Sequence, residues 1–317
     1  MRMRIGPKAT RFLIFAIALS SVVYSQKTVD RNKQNVHTVT IPISIFTKKE
    51  LRKDQAEEFI QIDRLVVKED HDDQTILSVR SVSNSPLSLA ILIQEDVTQE
   101  FNLQLRDLAR FINALPRGTR VMVGYIRGGT LRVKQRFTDN LEKAAAAMQI
   151  VAGTQSANGP YDGVAEATNL FDSLPNGRRA ILLVSDGLEG SRGTDTADTL
   201  NSPELERAIL RAQRKSIAVY SVYSPTGLTQ NGSSFLANSG QSALAKLSDE
   251  TGGRTFYQGT IAPVSFLPFF KSLDMLFERQ FVLTYLSTHM NKGYHRIEVT
   301  STNPEVKIEH PKGYYYR

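Results

Sequence analysis

Two short apolar runs, each stopped by an acidic residue, constrain this 317-residue chain more than anything else in it. Leu89 to Ile93 is unbroken and rich in branched aliphatics, and it ends at Gln94, Glu95 and Asp96. Ala180 to Val184 is followed by Ser185, Asp186 and Gly187. A continuous apolar run of strand length marks a strand buried on both faces, as the central strands of a parallel sheet are. The polar ends then fall at the carboxyl edge of the sheet, where open α/β folds hold their ligands. Side by side, the two strands would bring Asp96 and Asp186 to one rim.

The intervening sequence fits such a sheet. Phe101, Leu105, Leu108, Ile112 and Leu115 recur at helical spacing until Pro116 and Gly118, so a helix follows the first run, with Thr98 or a neighbour as its cap. Arg120 to Ile126 and Leu131 to Phe137 read as a hairpin turned at Gly128-Gly129. Helical stretches follow over 140–151 and 161–174. Beyond the second run come a polar loop (188–202), a helix begun by Ser202-Pro203-Glu204, a strand (217–223), a second rim loop (224–240) and two more helices. The fold class expected for 86–279 is α/β: a doubly wound, mostly parallel sheet with helices on both faces. Alternating patterns over 37–46, 59–68 and 75–82, and again from Gln280 to the end, read as strands. Pro42 points to an edge or a bulge, and Gln280–Ser287 with Tyr294–Thr300 to a hairpin. Segments 37–85 and 280–317 are thus expected to complete one small β unit together.

The first 25 residues read as a signal peptide: Arg2, Arg4, Lys8 and Arg11 without an acid, a short apolar core from Phe12 to Val23, and a cleavage site near Ser25. Residues 26–36 read as a polar, disordered leader. The expected location is periplasmic or extracellular, with no membrane span left after cleavage. Loss of those four basic residues lowers the formal net charge from +7 to +3, which gives no case for nucleic acid as a partner. The chain has no cysteine, so disulfides, thiol chemistry and a lipid anchor on cysteine are all excluded.

The order strand, acidic corner, helix, hairpin, helix, loop, helix, strand-Asp-Gly resembles the von Willebrand factor type A domain. In particular it resembles the exported, acidobacterial-type VWFA-related proteins, whose terminal strands close on a motif matched here by Lys312-Gly313-Tyr314-Tyr315. The resemblance covers about residues 37–317. It implies a metal-ion-dependent adhesion site: Asp-x-Ser-x-Ser after the first strand, a Thr from a middle loop, and an Asp after the fourth strand. Here the first motif is Gln94-Glu95-Asp96-Val97-Thr98, the middle loop is Ala157-Asn158-Gly159-Pro160-Tyr161-Asp162, and only Asp186 is unchanged. The site is therefore degenerate. Asp96, Thr98, Asn158 and Asp186 are the oxygens left for an ion such as Mg²⁺, which wants six; the alternative is a metal-free polar rim.

The resemblance further implies a non-enzymatic module for protein binding, adhesion or assembly. Its partner-binding rim is expected to include Gln94, Glu95, Asp162 and Glu189. Two alternatives stay open: a hydrolase using Glu95, Asp96 and Asp186, and an envelope component whose rim has decayed. Ser185 lacks the leading glycine of a nucleophile elbow. The five histidines are scattered without zinc spacing and read as strand or surface residues. The apolar stretch 264–277 reads as a core helix.

Overall fold

The computed structural model describes residues 35–48, 65–81, 85–153, 159–175, 177–190, 196–231 and 234–316. The expected signal peptide and leader lie outside these residues, as does Asn158.

In chain order the strands are β1 (His37–Thr47), β2 (Leu65–Glu69), β3 (Asp72–Arg80), β4 (Leu87–Gln94), β5 (Arg120–Arg127), β6 (Thr130–Thr138), β7 (Arg178–Ser185), β8 (Ile217–Tyr223), β9 (Thr255–Phe256), β10 (Gln280–Ser287), β11 (Gly293–Ser301), β12 (Val306–Glu309) and β13 (Gly313–Tyr316). The α-helices are α1 (Leu105–Ala114), α2 (Leu141–Ala146), α3 (Tyr161–Ala167), α4 (Pro203–Arg214), α5 (Gly227–Asn231), α6 (Ser234–Thr251) and α7 (Leu267–Glu278).

Six strands form one sheet in the order β6-β5-β4-β7-β8-β9. All its neighbours are parallel except the β5–β6 hairpin. The apolar run of β4 explains its central place. Leu89, Ile91 and Ile93 point into a core shared with Leu108, Phe111 and Phe270 of α1 and α7. Ala90 and Leu92 point the other way, toward Val164, Leu205 and Leu244 of α3, α4 and α6. The pleat sends alternate side chains to opposite faces, so the middle of a strand between two helical layers is apolar on both, as Leu89 to Ile93 are. The expected helix after β4 opens as a 3₁₀ segment over Gln99–Gln104, and α1 starts only at Leu105. Among the described residues no helix is long and apolar enough to cross a membrane; α7 packs into the core through Phe270, Leu273 and Leu276.

The second sheet is built from the two ends of the chain, as expected for segments 37–85 and 280–317. It has seven strands, order β12-β1-β10-β3-β2-β11-β13, and every neighbouring pair is antiparallel. It carries its own core of Ile41, Ile43, Leu283, Tyr285, Ile297 and Val299. The expected hairpin of β10 with β11 does not form. β10 lies between β1 and β3, and β11 between β2 and β13. β1 is interior rather than an edge, yet its pairing with β12 begins only at Ser44, so Pro42 sits where the strand has one partner. The two sheets are joined by polar bonds. Arg254, just before β9, meets Glu309 of β12 at 2.6 Å, and the Ser216 hydroxyl, just before β8, donates to the Thr40 carbonyl of β1.

Candidate functional site

β4 and β7 pair in parallel with Ile93 opposite Val184, so both strands release their polar ends at the same edge. The corner is held by side chains. Ser185 Oγ donates to Gln94 Oε1 and accepts from the Gly187 amide at 2.9 Å. Asp186 Oδ1 accepts from the Leu188 amide at 3.1 Å. Tyr161, fully buried at the start of α3, donates to the Gly187 carbonyl at 2.6 Å. Gly187 has φ +75°, and a Cβ there would lie 2.3 Å from the Gly240 carbonyl oxygen of α6, so both backbone shape and space require glycine.

The segment leaving β8 closes the corner. The Ser224 amide donates to the Ser185 carbonyl at 2.9 Å, and the Thr98 amide to the Pro225 carbonyl at 2.8 Å. Val97 and Thr226 form an isolated antiparallel bridge. The Thr226 hydroxyl donates to Asp186 Oδ2 at 2.6 Å. Thr226 itself is fixed by Thr229 Oγ1, which accepts its amide at 2.9 Å.

The structure brings together Gln94, Asp96, Thr98 and Asp186, but it buries them. None of these four is more than 8 % exposed, and Glu189 is also buried. This corrects the expected open rim: Gln94 and Glu189 present no surface to a partner. Glu189 packs against Gly159 so closely that a Cβ on the glycine would fall 1.9 Å from Glu189 Oε2. Glu95 and Asp162 remain partly open, and each faces an arginine, Arg127 at 3.8 Å and Arg207 at 2.5 Å respectively. Thr226 escaped the sequence reading. Its signal was the Ser-Pro-Thr-Gly turn with a second threonine three residues on, a local self-capping pattern.

Charge is expensive in this corner. Burial, and then the neighbouring charge of Asp186, push the Asp96 carboxyl up to about 7. Burial pushes Asp186 up to about 6, against the opposing pull of the Thr226 hydroxyl and the Leu188 amide. The Gln94 amide faces both carboxylates and offsets part of the upward push on each.

The chain matches no family model and no curated protein. Solved structures similar to it include a von Willebrand factor type A protein from Catenulispora acidiphila, at 12 % identity over 89 % of this chain and 74 % of that one, TM-score 0.42. An aerotolerance-related membrane protein from Bacteroides fragilis is similar at 12 % identity over 60 % of this chain and 98 % of that one, TM-score 0.42. The proximal thread matrix protein 1 of the mussel byssus, whose metal-ion-dependent adhesion motif is zinc-occupied, is similar at 10 % identity over 64 % of this chain and 47 % of that one, TM-score 0.42. Overlaps of this quality carry no functional argument. The strand order and the meeting of Asp96 with Asp186 at the carboxyl edge carry the fold. The fold is the doubly wound α/β sheet that the resemblance to the von Willebrand factor type A domain implies.

Whether the type A corner suits a resident Mg²⁺ is decided by its donors. Both oxygens of Asp186 are engaged. The Thr98 hydroxyl turns to Glu100, whose carboxyl it holds below the ordinary range. Position 94 offers an amide in place of a carboxylate. Asp96 Oδ1 and Thr98 Oγ1 are both buried without a hydrogen bond of ordinary geometry, and only the first is a carboxylate oxygen. Mg²⁺ wants six oxygens and keeps several waters, and the Pro225–Thr226 segment is bonded onto the corner through the Thr98 amide and Asp186 Oδ2. These residues do not fit the ion in this arrangement.

Proposed function

We propose that the chain is an exported, non-enzymatic type A module that binds a protein partner without a rim metal. The observation that carries this reading is the Thr226 hydroxyl on Asp186 Oδ2, which puts a neutral donor where the resemblance implies a cation. In this reading the former metal corner is a latch tying the ends of β4, β7 and β8 together. Recognition moves outward to the partly open charges beside it. A polar cleft of about 410 Å³ lies there between the Gly128-Gly129 turn and helices α3 and α4, lined by Asp162, Glu166, Arg207 and Arg211. Alternating charges at a rim select partners and set their register more than they add affinity. Catalysis is disfavoured because the carboxylates are shut away from reactants and the Ser185 hydroxyl is spent on Gln94.

The test is a pull-down from envelope extract with the wild-type chain, Arg207→Glu and Asp162→Arg, each in EDTA and in Mg²⁺. The reading expects one partner retained equally in both buffers and lost from both charge reversals. Capture that needs Mg²⁺, or that ignores the reversals, would defeat it.

A further inference from the structure

The antiparallel sheet holds a second polar cluster, remote in sequence from the motif residues and independent of the rim. Glu69, the last residue of β2, is fully buried. Its Oε1 accepts from the hydroxyls of Ser287 and Tyr314, both at 2.9 Å, while Oε2 is buried without a hydrogen-bond partner. A buried carboxylate oxygen without a donor of ordinary geometry is unfavourable. Asp70, at the β2–β3 turn, and His289, just past β10, stand beside it. One donor atom from each of Glu69, Asp70 and His289 lies within 4.8 Å of the others.

The hydrogen bonds around these residues set the direction of their lone pairs. His289 Nε2 is 3.2 Å from Asp72 Oδ2. Nδ1 is buried without a hydrogen-bond partner and lies 3.5 Å from Glu69 Oε1. An ion placed between the two atoms would bond both of them. Ligands about 2 Å from a tetrahedral ion stand roughly 3.3 Å apart, close to that separation. A metal-binding histidine donating its other N–H to a carboxylate is the usual support of such a site. Asp70 is aimed in turn by His295, whose two ring nitrogens lie 2.7 Å from Asp70 Oδ2 and from the Asn291 carbonyl.

We infer that Glu69, Asp70 and His289 form a binding site for a divalent transition-metal ion of the zinc type, with solvent in the fourth position. Mixed imidazole and carboxylate donors favour zinc over Mg²⁺ or Ca²⁺, which take oxygen alone. Glu69 ends β2 and His289 follows β10, strands on opposite sides of β3, so the ion is a pin across that strand. It ties together segments from the two ends of the chain.

The experiment uses the tag-free chain, stripped with EDTA and titrated with Co²⁺ by visible absorption and with Zn²⁺ by calorimetry. One equivalent is expected to bind, with tetrahedral-type cobalt absorption. His289→Ala and Glu69→Gln should each weaken binding at least tenfold, while Asp186→Asn should bind as wild type. Failure of Co²⁺ and Zn²⁺ to bind, or binding unchanged in His289→Ala, overturns the site; loss in Asp186→Asn would move it to the rim and overturn it too. Should Glu69→Gln fail to fold, imidazole NMR of the wild-type chain decides. Zn²⁺ must move the His289 ring signals and leave those of His310 in place; the opposite pattern refutes the assignment.

Discussion

The two sheets each bury a carboxylate cluster, and they treat it in opposite ways. At the parallel sheet's edge, Asp186 has both oxygens satisfied from within the chain, by the Leu188 amide and the Thr226 hydroxyl, and an amide at Gln94 stands between the acids. In the antiparallel sheet, Glu69 Oε2 and His289 Nδ1 are buried with nothing to bond. The corner that carries the recognisable motif has spent both oxygens of Asp186 as structure and leaves Asp96 Oδ1 buried without a hydrogen bond of ordinary geometry. The cluster without a motif still has open valence. A motif records where a ligand site stands in the fold, whereas unsatisfied buried atoms record where a ligand would still lower the free energy.

The most damaging change falls on the closed corner. Gly187→Ala forces a side chain into φ +75° and against the Gly240 carbonyl, both of them backbone constraints that rotamer changes cannot relieve. A loss of about 3 kcal/mol or more is expected in urea unfolding. A loss below about 1 kcal/mol would show that α6 does not press on the corner as described.

A smaller effect, of opposite sign, tests the electrostatics. Asp96 is raised to about 7, above its unfolded value, so the folded chain holds a proton that the unfolded one releases. Stability from this pair is therefore complete below the ordinary carboxyl range and is lost as pH rises through about 6 to 7. Asp96→Asn should gain about 2 kcal/mol at pH 8 and nothing at pH 4. Equal gains at both values would make burial of a generic polar group, rather than charge, the cause. At the other cluster the sign reverses: Tyr314→Phe removes a donor from Glu69 and should cost about 1.5 kcal/mol.

These contrasts also explain what could be read in advance. β4 and β7 were legible because the middle of a strand between two helical layers is apolar on both faces, and the chain has few such runs. That Asp96 and Asp186 meet follows from the same two runs being neighbours. The burial of that meeting point was not legible, because it depends on the carbonyl of Pro225 and one hydroxyl of Thr226 in a segment with no period. Strand pairing in the second sheet was misread at β10 and β11 for a related reason. Sequence neighbours suggest a hairpin, but the register is set by β1 and β3, which come from the other end of the chain. The histidines looked scattered because His37, His289 and His295 approach Glu69 only once those distant strands are paired.

The smallest expected effect bears most directly on the comparison. A ligand that binds only the folded state raises stability by RT ln(1 + [L]/Kd), so an ion with no site leaves the melting temperature where ionic strength alone puts it. Millimolar Mg²⁺ should shift the wild-type chain no further than a sodium salt of equal ionic strength. Thr226→Ala returns Asp186 Oδ2 to solvent or to an ion, and with Asp96 Oδ1 it makes two adjacent anionic oxygens available. That variant should be destabilised by about 1 kcal/mol without the ion, having lost a bond to a charged acceptor. If Mg²⁺ then restores part of the loss in Thr226→Ala and nothing in wild type, the hydroxyl is what keeps the cation out. If Mg²⁺ stabilises both chains equally, the corner was never closed to it, and the contrast between the two sheets fails at its first term.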